Sequence, residues 1–196
     1  MLRLPLLTVF VLALPLAACQ TLGLSSPDPA DVAVDPGPVC PVSAVLSDAT
    51  VVTKVKPGTP AGSRDPANVV FTAEMSQAML DCDYDRDNNK LTVDVEFAVK
   101  AVRGPAAQGA DPQLDFFVAV VDADNNIISK TVFHGQPQMR GRMTNTYTQS
   151  VDGFPVPLAM DKRPYDYEIL TGFQLTPDEL AYNRVPRQVP QPTLKR

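Results

Sequence analysis

The chain has few of the side chains from which common active sites are built. Histidine occurs only once, as His134, which argues against Ser-His-Asp triads, Cys-His pairs and multi-histidine metal sites. No serine lies in a nucleophile-elbow motif, and no glycine-rich loop of the phosphate-binding type is present. The sequence therefore predicts a protein that is not an enzyme and uses no cofactor. We interpret His134 as a polar residue at a strand end, with a lone pH-responsive contact as the alternative.

Basic charge is also scarce. The 196 residues include 17 Lys and Arg against 22 Asp and Glu, for a net charge of −5. Proteins that bind nucleic acid cluster Lys and Arg to neutralise phosphates, and the sequence has no such basic stripe. This composition argues against nucleic acid as a partner. The length suits one domain with a sizeable core and two tails.

The N-terminal apolar run is too short to span a membrane. It begins at residue 4 and is interrupted by Pro5 and Pro15, whereas a spanning helix needs about 20 apolar residues. One positive charge, Arg3, precedes the run, and two alanines at positions 17 and 18 follow it. This order is typical of a secretory signal peptide, so we predict that residues 1–18 are cleaved.

The predicted signal peptide leads into Leu16-Ala-Ala-Cys19, which resembles the lipobox of bacterial lipoproteins. The resemblance implies that a dedicated peptidase cuts before Cys19 and that this residue carries two or three acyl chains such as palmitate. At about 0.8 kcal/mol per buried methylene, several chains anchor a protein stably to a membrane. The alternative is an ordinary secreted protein in which Cys19 stands near the cleavage site by chance.

The residue after the lipidated cysteine bears on which membrane holds the anchor. Enterobacterial lipoproteins that stay in the inner membrane carry an aspartate there, whereas this chain has Gln20. The resemblance therefore implies an outer-membrane lipid anchor that faces the periplasm of the cell envelope. The inner membrane and the cell surface are the alternatives.

Pro-rich segments flank the central region. Residues 19–39 comprise the lipidated cysteine and a tether, which could extend to roughly 60 Å at about 3.1 Å per residue of polyproline-like chain. Residues 185–196 are also Pro-rich and mildly basic, and we predict a tail that is disordered or loosely docked. The folded domain is therefore expected at residues 40–184.

Two cysteines remain once Cys19 is assigned to the lipid. Cys40 and Cys82 have no CxxC motif and no neighbouring histidine, which disfavours metal or redox chemistry. In an oxidising compartment the pair predicts one disulfide. Cys82 also falls on the same face of a predicted strand as Leu80 and Tyr84, which directs it toward the core.

Between the tails, apolar and polar residues alternate with a period of two, which is typical of half-buried antiparallel strands. The clearest case runs from Leu91 to Ala101. Residues 116–121 are apolar on both faces, which indicates a central strand. The other predicted strands cover residues 42–55, 69–75, 80–84, 127–133, 144–151 and 165–175.

About seven strands with short turns predict an all-β fold, an antiparallel immunoglobulin-like sandwich with one short C-terminal helix. A single curled sheet or a small barrel is the alternative. The helix follows from Thr176, Pro177 and Glu179, which fit a capping box with proline at the first helical position.

One acidic stretch has the spacing of a possible metal site. Asp83, Asp85, Asp87 and Asp94 occupy positions 1, 3, 5 and 12 of a segment similar to an EF-hand calcium loop. Asn88 replaces the glycine of that loop, however, and an aspartate replaces its final glutamate. Because Asp and Asn favour turns on backbone grounds, we interpret the stretch as a hairpin turn, with a weak calcium site as the alternative.

A partner could dock on the segment that begins at Thr144. The segment is strand-prone but polar on both faces, so we predict a sheet edge open to strand addition, with Tyr147 and Phe154 as contact residues. Pro155 and Pro157 favour the alternative, in which the edge is blocked against pairing.

The sequence as a whole predicts a membrane-anchored binding or scaffolding module of the envelope with a protein partner. The alternatives are a calcium-dependent adhesion module and a two-carboxylate hydrolase.

Overall fold

The computed structural model describes residues 40–184, which form nine β-strands, three short 3-10 helices and one α-helix. The strands are β1 (Val42–Val45), β2 (Val51–Val55), β3 (Val69–Met75), β4 (Met79–Asp85), β5 (Lys90–Arg103), β6 (Leu114–Asp122), β7 (Ile127–Gly135), β8 (Thr144–Val156) and β9 (Tyr167–Phe173). The 3-10 helices are Ser47–Ala49, Pro66–Asn68 and Pro164–Asp166, and the α-helix is α1 (Pro177–Arg184). The described part of the chain is therefore mostly β, as the sequence predicts.

The strands form two sheets. Sheet A has the order β1-β9-β6-β7, and sheet B contains β2, β3, β4, β5 and β8. The long strand β5, with 14 residues, organises sheet B, because it pairs with β4 and β3 along one edge and with β8 along the other. All strand pairs in the described region are antiparallel except β1 with β9. Both sheets are thus built mainly by the antiparallel pairing that the alternating pattern predicts.

The core lies between the sheets because both present apolar side chains on their inner faces. The inward residues of β5 are each at most 2% exposed, namely Leu91, Val93, Val95, Phe97, Val99 and Ala101. Residues 116–121 of β6 are buried on both faces. A second, smaller cluster of Ala49, Phe117 and Ala119 covers the outer face of that strand. The predictions of a half-buried strand and of a central strand are therefore confirmed.

Four phenylalanines connect the two sheets. The rings of Phe97 and Phe116 meet edge to face with centroids 5.2 Å apart, and Phe116 stacks on Phe133 at 5.3 Å. Phe133 lies 6.4 Å from Phe154. These residues belong to β5, β6, β7 and β8 in turn. The four rings therefore form a row that passes from sheet B to sheet A and back to sheet B, and it joins strands that follow one another in sequence.

The first predicted strand, residues 42–55, is wrong as a single element. The structure divides it into β1, which belongs to sheet A, and β2, which belongs to sheet B. The 3-10 helix Ser47–Ala49 carries the chain across, and it is closed by a hydrogen bond from Thr50 Oγ1 to the Ser47 carbonyl at 2.9 Å. This division is one reason why the described region has nine strands instead of about seven.

The predicted disulfide is present. Cys40 and Cys82 are bonded, with Cα atoms 5.7 Å apart. Cys40 lies two residues before β1 of sheet A, whereas Cys82 lies in β4 of sheet B. Ser43 Oγ donates to the Ala78 carbonyl near the disulfide at 3.1 Å. The bond therefore ties the start of the described domain to the opposite sheet.

The predicted helix also forms, with its capping box. The Thr176 amide donates to Glu179 Oε2 at 2.8 Å, and the Glu179 amide donates to Thr176 Oγ1 at 3.3 Å. Polar contacts dock the helix on sheet B, including an ion pair of 2.7 Å between Lys54 and Glu179.

Within residues 40–184, no helix has the length and apolar character needed to cross a membrane.

Candidate functional site

An acidic depression lies on the outer face of sheet B, where β4, β5 and β8 run side by side. Its volume is about 400 Å³. The lining residues are Met79, Leu80, Asp81, Asp94, Val95, Glu96, Ser150 and Asp152. Four of them are carboxylates, and all four are exposed, so the depression presents concentrated negative charge to solvent.

Strand register brings the acids together. β4 and β5 form a hairpin in which Asp81 lies directly opposite Asp94, while Met79 lies opposite Glu96. On the other side of β5, Glu96 faces Ser150. The acids occupy outward positions because the residues between them fill the core, so the alternating pattern that buries the apolar set also collects the carboxylates on one surface.

A β-bulge completes the depression. The register between β5 and β8 shifts between Val93 and Val95, so Asp94 lies opposite two residues of β8, Asp152 and Gly153. The Gly153 amide donates to Asp94 Oδ1 at 2.6 Å, and its φ of 63° is in the left-handed region that glycine tolerates. The bulge therefore holds Asp94 in place and adds Asp152 to the acidic group.

This arrangement suits electrostatic attraction better than catalysis. Carboxylates that act as general acids or nucleophiles are usually set in a cleft that limits water, whereas these four are exposed. Among the described residues, no three His, Cys, Asp or Glu side chains form a group that could hold a metal ion. The depression can attract a cationic segment of another molecule and steer its approach.

Of the lining residues only Asp94 was a candidate from sequence, as part of the possible calcium loop, so the depression itself was not predicted. Its signal was nevertheless present, because pairing Asp85 with Lys90 across the predicted turn fixes the hairpin register and sets Asp81 against Asp94. The contribution of Asp152 could not be found in that way, since it depends on the long-range pairing of β8 and on the bulge.

We expect an Asp81→Asn variant to be more stable than the wild type by a few tenths of a kcal/mol, because like charges directly opposite each other destabilise a sheet. The amide keeps the Oδ1 acceptor that now receives a hydrogen bond from the Cys82 amide. Urea unfolding at low and at high salt measures the effect, which should shrink as salt screens the charges.

The matched control is Asp83→Asn, since Asp83 lies on the same face but opposite the uncharged Thr92. Equal stabilisation in the two variants would show that the Asp81–Asp94 pair has no special role.

The predicted calcium positions form a turn in the structure. Asp85 accepts hydrogen bonds from the amides of Asp87 and Asn88, both at 3.1 Å, and from the Asn88 side chain at 2.7 Å. These bonds, first that of the Asn88 side chain, lower the pKa of Asp85. Asp94 instead accepts a hydrogen bond from the Gly153 amide in the bulge. Asp83 lies on β4 opposite Thr92. The geometry thus supplies the hairpin turn that we favoured from sequence.

His134 lies at the end of β7, opposite Asp115 of β6. Its Nδ1 is 3.1 Å from Asp115 Oδ1 and 2.9 Å from Gln113 Nε2. Partial burial acts to raise the pKa of Asp115, but the hydrogen bonds from Gln113 and His134 outweigh it and the pKa is lowered. The histidine side chain is 74% exposed, so the group is a surface contact and not a catalytic dyad in a cleft.

The predicted partner edge is only partly available. Strand β8 extends beyond the predicted residues 144–151 to Val156, and in the described region it pairs only with β5. Tyr147 is partly buried, and this burial raises its pKa to about 12. Phe154 is 5% exposed, since its ring packs in the core beside Phe133. The prediction of Phe154 as a contact residue is therefore wrong for its side chain.

A smaller depression of about 140 Å³ lies where α1 meets residues 47–53. The Arg64 guanidinium sits 4.4 Å from the centroid of the Tyr182 ring and donates to the Tyr182 carbonyl. Asn183 Nδ2 donates to the carbonyls of Asp48 and Val51 at 2.9 and 2.7 Å. These contacts account for the docking of the helix, so we assign this depression to structure.

Several predicted features lie outside the described residues. They are the signal peptide at 1–18, the lipobox with Cys19, the tether up to residue 39 and the tail at 185–196.

No protein-family model matches this chain, and no curated protein or solved structure matches it either.

Proposed function

We propose that this protein is a bacterial envelope lipoprotein. Acylated Cys19 anchors it to the outer membrane on the periplasmic side, and residues 40–184 act as a binding or scaffolding module at the end of the tether. The observation that carries the proposal is Leu16-Ala-Ala-Cys19 directly after an apolar run flanked by a single arginine. The Cys40–Cys82 disulfide supports an oxidising compartment such as the periplasm.

We assign the domain to the immunoglobulin-like class of sandwiches. Two features support this assignment. The chain passes from sheet A to sheet B between β1 and β2, and β1 runs parallel to the last strand, β9. The chain also crosses between the sheets from β5 to β6 and from β8 to β9. Because β5 pairs antiparallel with β8 and β6 pairs antiparallel with β9, these two crossings join neighbouring strands at opposite ends of the two sheets, which is compatible with the Greek-key connections of such sandwiches.

The binding role is supported by the acidic depression. A protein partner that presents Lys or Arg side chains would meet four carboxylates that line one open depression with a volume of about 400 Å³. Exposed charges of this kind set the rate and specificity of association more than its strength. A tethered module that captures its partner by charge fits a scaffolding role better than a hydrolytic one.

The proposal predicts that a Cys19→Ser variant loses its lipid and its membrane attachment. Cells that express wild type or variant at native levels are fed an alkyne fatty acid, and the protein is then purified, labelled and fractionated. We expect label and sedimentation with membranes only for the wild type, since one thiol and its freed amine carry the acyl chains.

A Thr21→Ser variant is the matched control, because it makes a similarly small change two residues away and should label normally. Fatty-acid label that persists on the Cys19→Ser protein, or wild-type protein recovered unlabelled in the soluble fraction, would contradict the lipoprotein proposal.

A further inference from the structure

Open sheet edges are a hazard for proteins, because their unpaired amides and carbonyls can bind another strand. Natural edges are usually protected by short length, charged side chains, proline or a bulge. Among the described residues, five strands have an edge that pairs with no other strand, namely β1, β2, β4, β7 and β8. These five edges differ in how well they are protected against pairing with another strand.

Four of these edges are protected. β1 has only four residues, and β2 has five, with Lys54 beside a register shift. β4 carries Asp81, Asp83 and Asp85 along its length. β7 carries Lys130 next to its middle residue. Each of these strands therefore opposes pairing with another copy by length, by charge or by irregular register.

β8 is protected over only one of its halves. Residues 151–156 contain the bulge, Asp152, Gly153 and Pro155. Residues 144–150 contain no charge, no glycine and no proline, and their register with β5 is uninterrupted. Seven strand-prone residues thus lie along an edge that has no charge, no proline and no bulge to oppose pairing.

The sequence of this half is symmetric in chemical type. It reads Thr-Asn-Thr-Tyr-Thr-Gln-Ser from Thr144 to Ser150. Antiparallel pairing with an identical strand, centred on Tyr147, sets Thr144 against Ser150, Asn145 against Gln149 and Thr146 against Thr148. Every pair joins residues of the same kind, and hydroxyl and aromatic cross-strand pairs of this type stabilise sheets.

The same register also matches charges at the ends of the segment. Continued just beyond the paired residues, it places Arg142 of each copy near Asp152 of the other, because these residues lie five positions before and after Tyr147. Both side chains are exposed, and within residues 40–184 neither forms an ion pair. Self-pairing would therefore create two opposite-charge contacts, one at each end.

We propose that two copies of this protein associate through residues 144–150 of β8, paired antiparallel about a two-fold axis at Tyr147. Such an interface is isologous, since the same surface is used by both copies. It joins the two B sheets edge to edge and ends where the bulge, Asp152 and Pro155 interrupt regular pairing. The acidic depressions of the two copies then lie on the same continuous sheet.

The first test uses a single introduced thiol in the full-length protein in native membranes. The axis sets residue 147 against itself, so a Tyr147→Cys variant is expected to form a disulfide-linked dimer under mild oxidation. Ser129→Cys on the edge of β7 is the control and should stay monomeric on a non-reducing gel. Equal crosslinking of the two variants, or a Tyr147→Cys adduct only to a different protein, would overturn the proposal.

The second test measures self-association of the purified protein in detergent by analytical ultracentrifugation. A Thr148→Lys variant places a charge at an exposed position of the edge and should weaken the dimer at least ~10-fold. Thr131→Lys, an exposed position on β7, should leave it unchanged.

Charge exchange between the paired ends distinguishes this register from any other. Arg142→Asp and Asp152→Arg should each weaken the dimer, whereas the double variant should restore it. A wild-type protein that remains monomeric up to high concentration, or a dimer that is insensitive to Thr148→Lys and shows no restoration in the double variant, would show that β8 does not pair with itself.

Discussion

Removal of the Cys40–Cys82 disulfide is expected to lower the free energy of unfolding by about 4 kcal/mol. The two cysteines are 42 residues apart in sequence, and closing a loop of this length in the unfolded chain costs about that much conformational entropy at room temperature. The bond also joins the two sheets, so the folded state loses a link between layers as well. For a domain of ordinary stability this is a large part of the total.

A Cys40→Ala/Cys82→Ala double variant avoids leaving a free thiol, and urea unfolding gives its stability relative to the wild type. Treatment with reductant is the internal control. It should destabilise the wild type by a similar amount and leave the double variant unchanged. A difference below ~1 kcal/mol would mean that the bond contributes little to the fold.

Truncation of Phe116 to alanine is expected to destabilise the domain by about 3–5 kcal/mol, the usual range for a large aromatic residue in a packed core. Phe116 is 5% exposed and contacts both Phe97 of sheet B and Phe133 of sheet A. Its removal therefore leaves a cavity in the row of rings that connects β5 to β8, where rigid strands on both sides limit collapse.

The control for this variant is Val132→Ala. Val132 lies on the neighbouring strand β7 but is 38% exposed, so we expect a change within about 0.5 kcal/mol. Thermal or urea unfolding compares the two. A Phe116→Ala protein as stable as Val132→Ala would contradict the assignment of this ring to the centre of the core.

Local patterns predicted much of the fold because they depend only on nearby residues. The alternation from Leu91 to Ala101 identified the inward face of β5, and the capping box of Thr176 and Glu179 located the start of α1. In both cases the physical signal, a period of two or a reciprocal pair of hydrogen bonds, lies within a few residues of the chain.

Features that depend on distant pairing were missed. Ser47 and Asp48 interrupt the apolar pattern of residues 42–55 where the chain leaves sheet A for sheet B, but a polar pair of this kind does not show whether the chain continues in the same sheet or changes to the other. Asp152 joins Asp94 only through the bulge between β5 and β8. The polar segment that begins at Thr144 predicted an exposed edge that included Phe154, but the bulge at Asp152 and Gly153 changes the phase of the alternation and turns the Phe154 ring inward.

The disulfide also sets the path that a mechanical force would take through the domain. A pull on the proposed tether reaches the described domain at Cys40, and the covalent bond transfers it to Cys82 in β4. The residues between the two cysteines, which include β1 to β3, are then relieved of tension. Without the bond, the pull would fall first on β1, a four-residue edge strand that could be peeled from β9. With the bond, it falls on β4, which pairs with the long strand β5 through seven residues, so seven residue pairs bear the load instead of the four that hold β1 to β9.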